Sequence, residues 1–111
     1  MPYKIERLER AIEKEVSVIL LNSKDKRLTF VTVTKVHLTG DASIATIFYT
    51  VLGNEDQIES TKKSLDNAKG YIRTSLGKAI QMRKVPELIF KYDESMEYGR
   101  HIEDILKGLN L

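Results

Sequence analysis

Apolar residues near the start of the chain recur at the spacing of a helix. They stand three or four positions apart at Ile5, Leu8, Ile12, Val16 and Ile19. Because an α-helix has 3.6 residues per turn, these side chains share one stripe on its surface. The pattern predicts a helix over residues 4–22, followed by a polar loop.

Two runs rich in valine, threonine and aromatic residues follow the loop. They cover residues 28–38 (LTFVTVTKVHL) and 43–52 (SIATIFYTVL). The segment between them, TGDA, contains Gly40 and Asp41, which are typical of turns. We therefore predict an antiparallel hairpin. The alternation of polar and apolar residues is too irregular to show which face is buried.

A second helical pattern begins after Asn54, a favourable N-cap residue that precedes two acidic residues. Its apolar positions are Ile58, Leu65, Ala68, Ile72, Leu76 and Ile80. The helical phase continues through Gly70, although glycine inside a helix costs about 0.5–1 kcal/mol relative to alanine. The segment is thus either one long helix with a bend at Ala68–Gly70 or two helices with a tight junction there. Pro86 is expected to stop it.

The remaining residues predict a third strand over 87–93 and a last helix capped by Asp93 or Ser95. The order is α-β-β-α-(bend)-α-β-α with a three-stranded sheet, which places the chain in the α+β class. A connection as long as the one between the second and third strands can join parallel strands. With 111 residues, the chain is the size of one domain, and we expect residues 1–111 to form it.

Composition limits the functional classes. The chain has no cysteine, so disulfides, thiolate metal sites and cysteine catalysis are excluded. No apolar run reaches the roughly 18 residues of a membrane span, and the N-terminal segment has no apolar signal core. We therefore expect a cytoplasmic protein that is a monomer when free and does not contact a membrane.

Charge is sorted along the chain, although the net charge is only +2. Residues 62–84 contain seven basic side chains against Asp66 alone, and residues 87–104 contain six acidic side chains against Lys91 and Arg100. On a helix, Lys62, Lys69 and Arg73 share a stripe beside the apolar one. Such a stripe is typical of a protein that binds a polyanion. The alternative is a solvated helix face that only keeps the protein soluble.

No arrangement of residues indicates an enzyme. Glu97 and His101 lie four apart on the last predicted helix, but two ligands do not complete a metal site. The stretch GYIRTSLGK (70–78) lacks the spacing and the terminal Ser or Thr of a phosphate-binding loop. No serine has a base beside it in a recognisable motif. We expect no catalytic residue, no metal, no cofactor and no small-molecule substrate.

Three stretches carry a family pattern: TGDASIATIFYTVLG (39–53), AKGYIRTSLGKAIQMRKVPELIFKYDES (68–95) and GRHIEDIL (99–106). In these stretches and in the order of its elements, the chain resembles the ribosome-binding factor A family over almost its whole length. The second stretch is the most specific, since Gly70, Arg73, Arg83, Pro86 and Asp93 stand at the family's spacing.

The resemblance implies a KH-like fold of the helix-first type, and a role in late assembly of the small ribosomal subunit. Family members bind the immature 30S particle and 16S rRNA and aid processing of the rRNA 5′ end, notably in the cold. They are not enzymes. In ordinary KH domains a Gly-x-x-Gly loop clamps the backbone of a single strand. In this family Ala-x-Gly replaces that loop, and here it is Ala68-Lys69-Gly70.

The residues expected to contact RNA are those of the basic segment: Lys62, Lys69, Arg73, Lys78, Arg83 and Lys84. Arg7, Arg10 and Lys35 are weaker candidates. Gly70 is expected at an interhelical bend where a phosphate comes close, whereas Ala68 equally suits simple packing. Aromatic residues make up only 7% of the chain, which favours recognition of folded RNA through phosphates and shape over base-by-base reading.

Two other functional classes stay open at this point. The first is a protein-interaction module that acts through the acidic C-terminal segment, and it would bind with little dependence on salt. The second is a small hydrolase or phosphotransferase, which the absence of motifs disfavours.

Overall fold

The computed structural model describes residues 2–82 and 84–95. Its elements, in chain order, are α1 (Pro2–Leu21), a short 3₁₀ helix (Lys26–Phe30), β1 (Val31–Leu38), β2 (Ile44–Val51), α2 (Glu55–Ala79) and β3 (Glu87–Tyr92). The last predicted helix lies outside the described residues apart from its first two positions. In the described ranges the fold is α+β with a three-stranded sheet, as predicted.

The three strands form one mixed sheet in the order β1-β2-β3. β1 and β2 are antiparallel, with Val31 opposite Val51 and Leu38 opposite Ala45. β3 lies parallel to β2, with Ile44 opposite Glu87. Both the hairpin and the parallel crossover are thereby confirmed.

The helices cover one face of this sheet. Alternate residues of β2, Ala45, Ile47, Tyr49 and Val51, are buried there. The apolar stripe of α1 supplies Ile12, Val16 and Leu20, and that of α2 supplies Leu65, Ile72 and Leu76. The structure thus decides which face of the hairpin is buried, because two amphipathic helices need the same apolar surface.

The first strand begins later than its sequence indicated. Residues 28–30 belong to the 3₁₀ helix, whose N-cap Asp25 accepts a hydrogen bond from the backbone N–H of Arg27. The buried side chain of Leu28 therefore belongs to this helix and not to a strand. The prediction of strand from residue 28 was wrong, because a capping carboxylate offered these backbone groups a local alternative to the sheet.

α2 is one continuous helix from Glu55 to Ala79. Gly70 lies inside it without a positive φ, so of the two predicted alternatives the single long helix is correct and the junction between two helices is not present. The helix begins with a full capping box, in which Asn54 Oδ1 accepts from Gln57 N–H and the Gln57 side chain accepts from Asn54 N–H. The predicted N-cap is confirmed.

α2 ends at Ala79, before the expected stop at Pro86. Ile80 is already extended (φ −113°, ψ 119°) and donates its N–H to the carbonyl of Leu76. The chain must turn back here so that β3 can reach β2. The helix therefore ends seven residues before Pro86, because the chain has to return for β3 to pair with β2. Pro86 instead directly precedes the first residue of β3.

Candidate nucleic-acid interface

The C-terminal half of α2 and the loop after it carry no carboxylate. Residues 67–86 include five basic side chains and no aspartate or glutamate. The nearest acidic residues in the sequence are Asp66 and Glu87. This end of the protein therefore presents cations to solvent, whereas the first turns of α2 are acidic at Glu55 and Asp56.

A strip of small residues runs along the outward side of this half of the helix. It consists of Gly70, Thr74 and Gly77, which lie within about 60° of each other at 100° per residue; we call it the glycine strip. With Arg73 and Val85 it lines an open groove of about 460 Å³. At 100° per residue, Lys69 and Arg73 fall on one side of the strip, and Tyr71 and Lys78 on the other.

The two glycines of the strip differ in their surroundings. A Cβ added at Gly77 would lie 2.7 Å from Cγ2 of Val85, so this glycine lets the returning chain pack on the helix. A Cβ added at Gly70 would meet nothing within 4 Å. Neither the backbone conformation nor the packing of the described residues requires glycine at position 70.

Arg73 is tied to the chain that leads into β3. Its Nε donates to the carbonyl of Pro86 at 3.1 Å, and its Nη2 donates to the carbonyl of Val85 at 3.0 Å. The guanidinium thereby holds two consecutive carbonyls in its planar fork. The sequence predicted that Arg73 contacts RNA but did not reveal this structural role. The two carbonyls lie twelve and thirteen positions away, and no sequence pattern indicates a contact over that distance.

Lys62 is also engaged within the protein. Its Nζ lies 5.0 Å from the ring centroid of Tyr92 on β3 and 3.5 Å from Oε1 of Glu59. It stands about 24 Å along the helix from Lys78, at 1.5 Å per residue. Lys62 is therefore separate from the glycine strip and forms a weaker candidate for RNA contact than its charge indicated.

The side chains of Lys69, Lys78 and Lys84 make no ion pair or hydrogen bond with any other residue in the described ranges. Lys69 and Lys78 differ by 180° around α2 and so flank the strip from opposite sides. Lys84 lies in a neighbouring groove of about 380 Å³, beside Lys4 and Asp41. Arg83 lies outside the described residues.

The weaker candidates are spread over other surfaces. Arg7 and Arg10 are exposed on α1. Lys35 and Lys91 extend from the two outer strands toward the ring of Phe48 on β2, at 5.9 Å and 6.0 Å from its centroid. The lysines of the open sheet face are thus engaged with an aromatic ring, whereas Lys69 and Lys78 beside the glycine strip are not, within the part of the chain that the structure describes.

The described part of the chain contains no group of three His, Asp or Glu residues positioned for a metal. Hydrogen bonds from the Arg27 side chain lower the pKa of Asp25, and those from Ser43 and Thr39 lower the pKa of Asp41. Burial raises the pKa of Tyr49 to about 12. The pair Glu97 and His101 and most of the acidic C-terminal segment lie outside the described residues.

A second cavity, of about 260 Å³, lies at the other end of α2. Phe30 and Leu52 are exposed there, and Arg27 and Asp56 contribute charges of opposite sign. Asp56 and the neighbouring Glu55 make this cavity a poorer match for a polyanion than the glycine strip.

The fold defines a small α+β protein with a helix first, a mixed three-stranded sheet and a basic surface around the glycine strip. The model of the family "Ribosome-binding factor A" matches residues 4–106. A ribosome-binding factor A of Geotalea daltonii is 45% identical over 105 residues, which cover 94% of this chain and 85% of that one. The chain therefore belongs to the ribosome-binding factor A family.

Solved structures agree on the fold. The crystal structure of ribosome-binding factor A from Thermus thermophilus matches with a TM-score of 0.71 at 24% identity, over 79% of this chain and 94% of that one. A homology model of the Thermus thermophilus factor, fitted into a cryo-electron microscopy map of its complex with 30S, matches with a TM-score of 0.68 at 24% identity, over 79% and 93%. Among the described residues, no helix is long and apolar enough to cross a bilayer.

Proposed function

We propose that this protein binds the 30S ribosomal subunit through 16S rRNA and promotes late maturation and 5′-end processing of that rRNA, without catalysing a reaction itself. The observation that carries the proposal is the surface around the glycine strip, where Lys69, Arg73 and Lys78 belong to a segment, residues 67–86, that contains five basic residues and no carboxylate. RNA phosphates attract such a surface and displace their counterions when they bind to it. The 30S complex of the Thermus thermophilus relative supports the choice of partner.

The glycine strip provides room for a sugar-phosphate backbone. Because Gly70 has no side chain and no neighbour within 4 Å of an added Cβ, a phosphate can approach the helix surface closely. Lys69 and Lys78 then reach that backbone from its two sides. Glycine in KH-like domains serves the same purpose, close passage of a strand.

Binding promotes maturation by shifting rRNA between conformations. A protein changes such an equilibrium only by the difference between its affinities for the two states. We propose that the basic surface matches one local conformation of the immature subunit, holds it until the 5′ end has been processed, and releases it when the mature conformation no longer fits.

A salt series tests the binding step. Lys69, Lys78 and Lys84 are changed together to glutamine, and co-sedimentation with purified 30S subunits is measured at increasing salt. Each phosphate that is no longer neutralised lowers the slope of log K against log salt by about 0.7–0.9, so we expect weaker binding and a slope flatter by roughly 2–3. A thermal melt checks that the variant is folded.

The matched control changes Lys14, Lys24 and Lys26 to glutamine. These three lysines lie on α1 and in the loop and short helix after it, away from the glycine strip. Because three lysines are replaced in both variants, the total charge falls equally. The control is expected to keep most of the affinity and slope. Equal losses in both triple variants would show that net charge alone governs binding and would contradict the proposed surface.

The maturation step has its own readout. In cells depleted of the protein and grown in the cold, we expect 16S rRNA with an extended 5′ end to accumulate and the wild-type chain to restore processing. The Lys69, Lys78 and Lys84 triple variant should restore it poorly. If that variant no longer bound 30S yet restored processing fully, maturation would not depend on this surface.

A further inference from the structure

We propose that Tyr71 stacks on an unpaired base of the bound RNA while the adjoining phosphate crosses the glycine strip at Gly70. The inference rests on the proposed function and adds the class of ligand at this point, a nucleotide outside a double helix. Tyr71 is the residue next to Gly70, and 67% of its surface is exposed. Because one sugar joins the base and the phosphate of a nucleotide, a single nucleotide can place its phosphate at Gly70 and its base on Tyr71.

The surroundings of Tyr71 favour a nucleic-acid base over other partners. Lys78 follows it by seven residues and therefore lies on the same side of α2. The segment 67–86 contains no carboxylate that would repel a phosphate. A single exposed aromatic residue is common on protein surfaces. Tyr71 differs in that it follows Gly70, which lines the open groove and has no side chain.

The other described aromatic residues are less suited to stacking. Phe48 has Lys35 and Lys91 near its ring, and Tyr92 has Lys62. Tyr49 is buried. Phe30 is 52% exposed, but it lies in the cavity that also contains Asp56. Tyr71 therefore combines an exposed ring with a stretch of chain that carries no carboxylate.

Stacking makes predictions that differ from those for charge. Base stacking on an aromatic side chain is sequence-tolerant, and removing it weakens binding roughly 5- to 150-fold per base. Tyr71→Phe should keep the affinity for 30S, whereas Tyr71→Leu and Tyr71→Ala should both lose it by a factor in that range. The slope of log K against log salt should stay unchanged, because no cation has been removed.

A fluorescence titration tests the contact directly. The chain contains no tryptophan, so Tyr71→Trp introduces a single probe. Protein-free 16S rRNA is the ligand, because it contributes no tryptophan fluorescence of its own. We expect strong quenching as a base stacks on the new indole. Phe30→Trp, at the opposite end of α2, is the control and should be quenched little.

The outcomes separate this inference from the proposed function. If Tyr71→Leu binds as well as Tyr71→Phe while the Lys69, Lys78 and Lys84 triple variant is weakened, stacking is refuted and the basic surface stands. If Tyr71→Leu is weakened on 30S but not on protein-free 16S rRNA, Tyr71 contacts a ribosomal protein and stacking is again refuted. If neither the triple variant nor the Tyr71 variants lose affinity, both proposals fail.

Discussion

Gly77 lies directly under Val85, at a distance that leaves no room for a methyl group. A Cβ at position 77 would come within 2.7 Å of Val85 Cγ2, whereas a Cβ at Gly70, two turns earlier on the same side of α2, would have free space around it. One glycine of the strip therefore serves the packing of the protein. The other has no such role among the described residues.

Gly70→Ala and Gly77→Ala should thus differ in stability. Alanine at position 70 should raise the free energy of unfolding by about 0.5–1 kcal/mol, because it removes the cost of glycine in a helix. For Gly77→Ala we expect a free energy of unfolding about 1–3 kcal/mol lower than that of Gly70→Ala, because overpacking usually costs this much. Urea unfolding of both variants measures the difference.

Val85→Ala supplies the control for this pair. In a Val85→Ala background the overlap at position 77 disappears, so Gly77→Ala should recover most of its loss. The more stable Gly70→Ala should nevertheless bind 30S more weakly, since its methyl group would occupy the place that we propose for a phosphate. Unchanged affinity in Gly70→Ala would remove the functional reason for this glycine.

Arg73 should contribute to stability as well as to charge. Arg73→Ala removes two hydrogen bonds to the carbonyls of Val85 and Pro86, and we expect a loss of about 1–2 kcal/mol, since hydrogen bonds from charged groups are stronger than neutral ones but these are partly exposed. Lys69→Ala, which removes a cation without such bonds, should stay within about 0.5 kcal/mol. Thermal melts that showed the same stability for both variants would contradict the structural role of Arg73.

The capping box of α2 gives a third prediction. Asn54→Ala removes the acceptor for the Gln57 N–H and should cost about 0.5–2 kcal/mol. Asn54→Asp keeps an acceptor and adds a negative charge at the helix N-terminus, so it should be at least as stable as the wild type. Chemical denaturation measures both, and equal losses in the two variants would show that the side-chain acceptor does not matter.

Acid should weaken the turn between β1 and β2. Hydrogen bonds from the hydroxyls of Ser43 and Thr39 lower the pKa of Asp41 below its ordinary value of 3.8. Because the folded pKa is the lower one, this stabilisation is complete above pH 3.8 and is lost as the pH falls through the folded pKa.

Asp41→Asn isolates that contribution. The amide keeps an acceptor oxygen but does not titrate. The difference in urea midpoint between the wild type and Asp41→Asn should be constant from about pH 8 to about pH 5 and should shrink below about pH 3.8. A difference that stayed the same down to about pH 2 would show that the carboxylate's charge has no part in the turn.

Local patterns in the sequence determined most of the elements of this protein. The stripes of α1 and α2, the hairpin turn at Gly40 and Asp41, the cap at Asn54 and the basic segment 62–84 all depend on residues within a few positions of each other. Periodicity, capping and charge sorting report such short-range chemistry directly. The family could also be named from the sequence, because its motifs cover nearly the whole chain.

Tertiary contacts decided what those patterns left open. α2 stays unbroken through Gly70 and ends at Ala79, because Ile72 and Leu76 bury their side chains in the core and β3 must return to pair with β2. The roles of Arg73 and Gly77 come from residues eight to thirteen positions away, which only the folded chain brings near. A sequence shows which side chains a helix carries, but the packing of the returning chain determines which of them are held within the protein, as Arg73 is, and which are left at the surface, as Lys78 is.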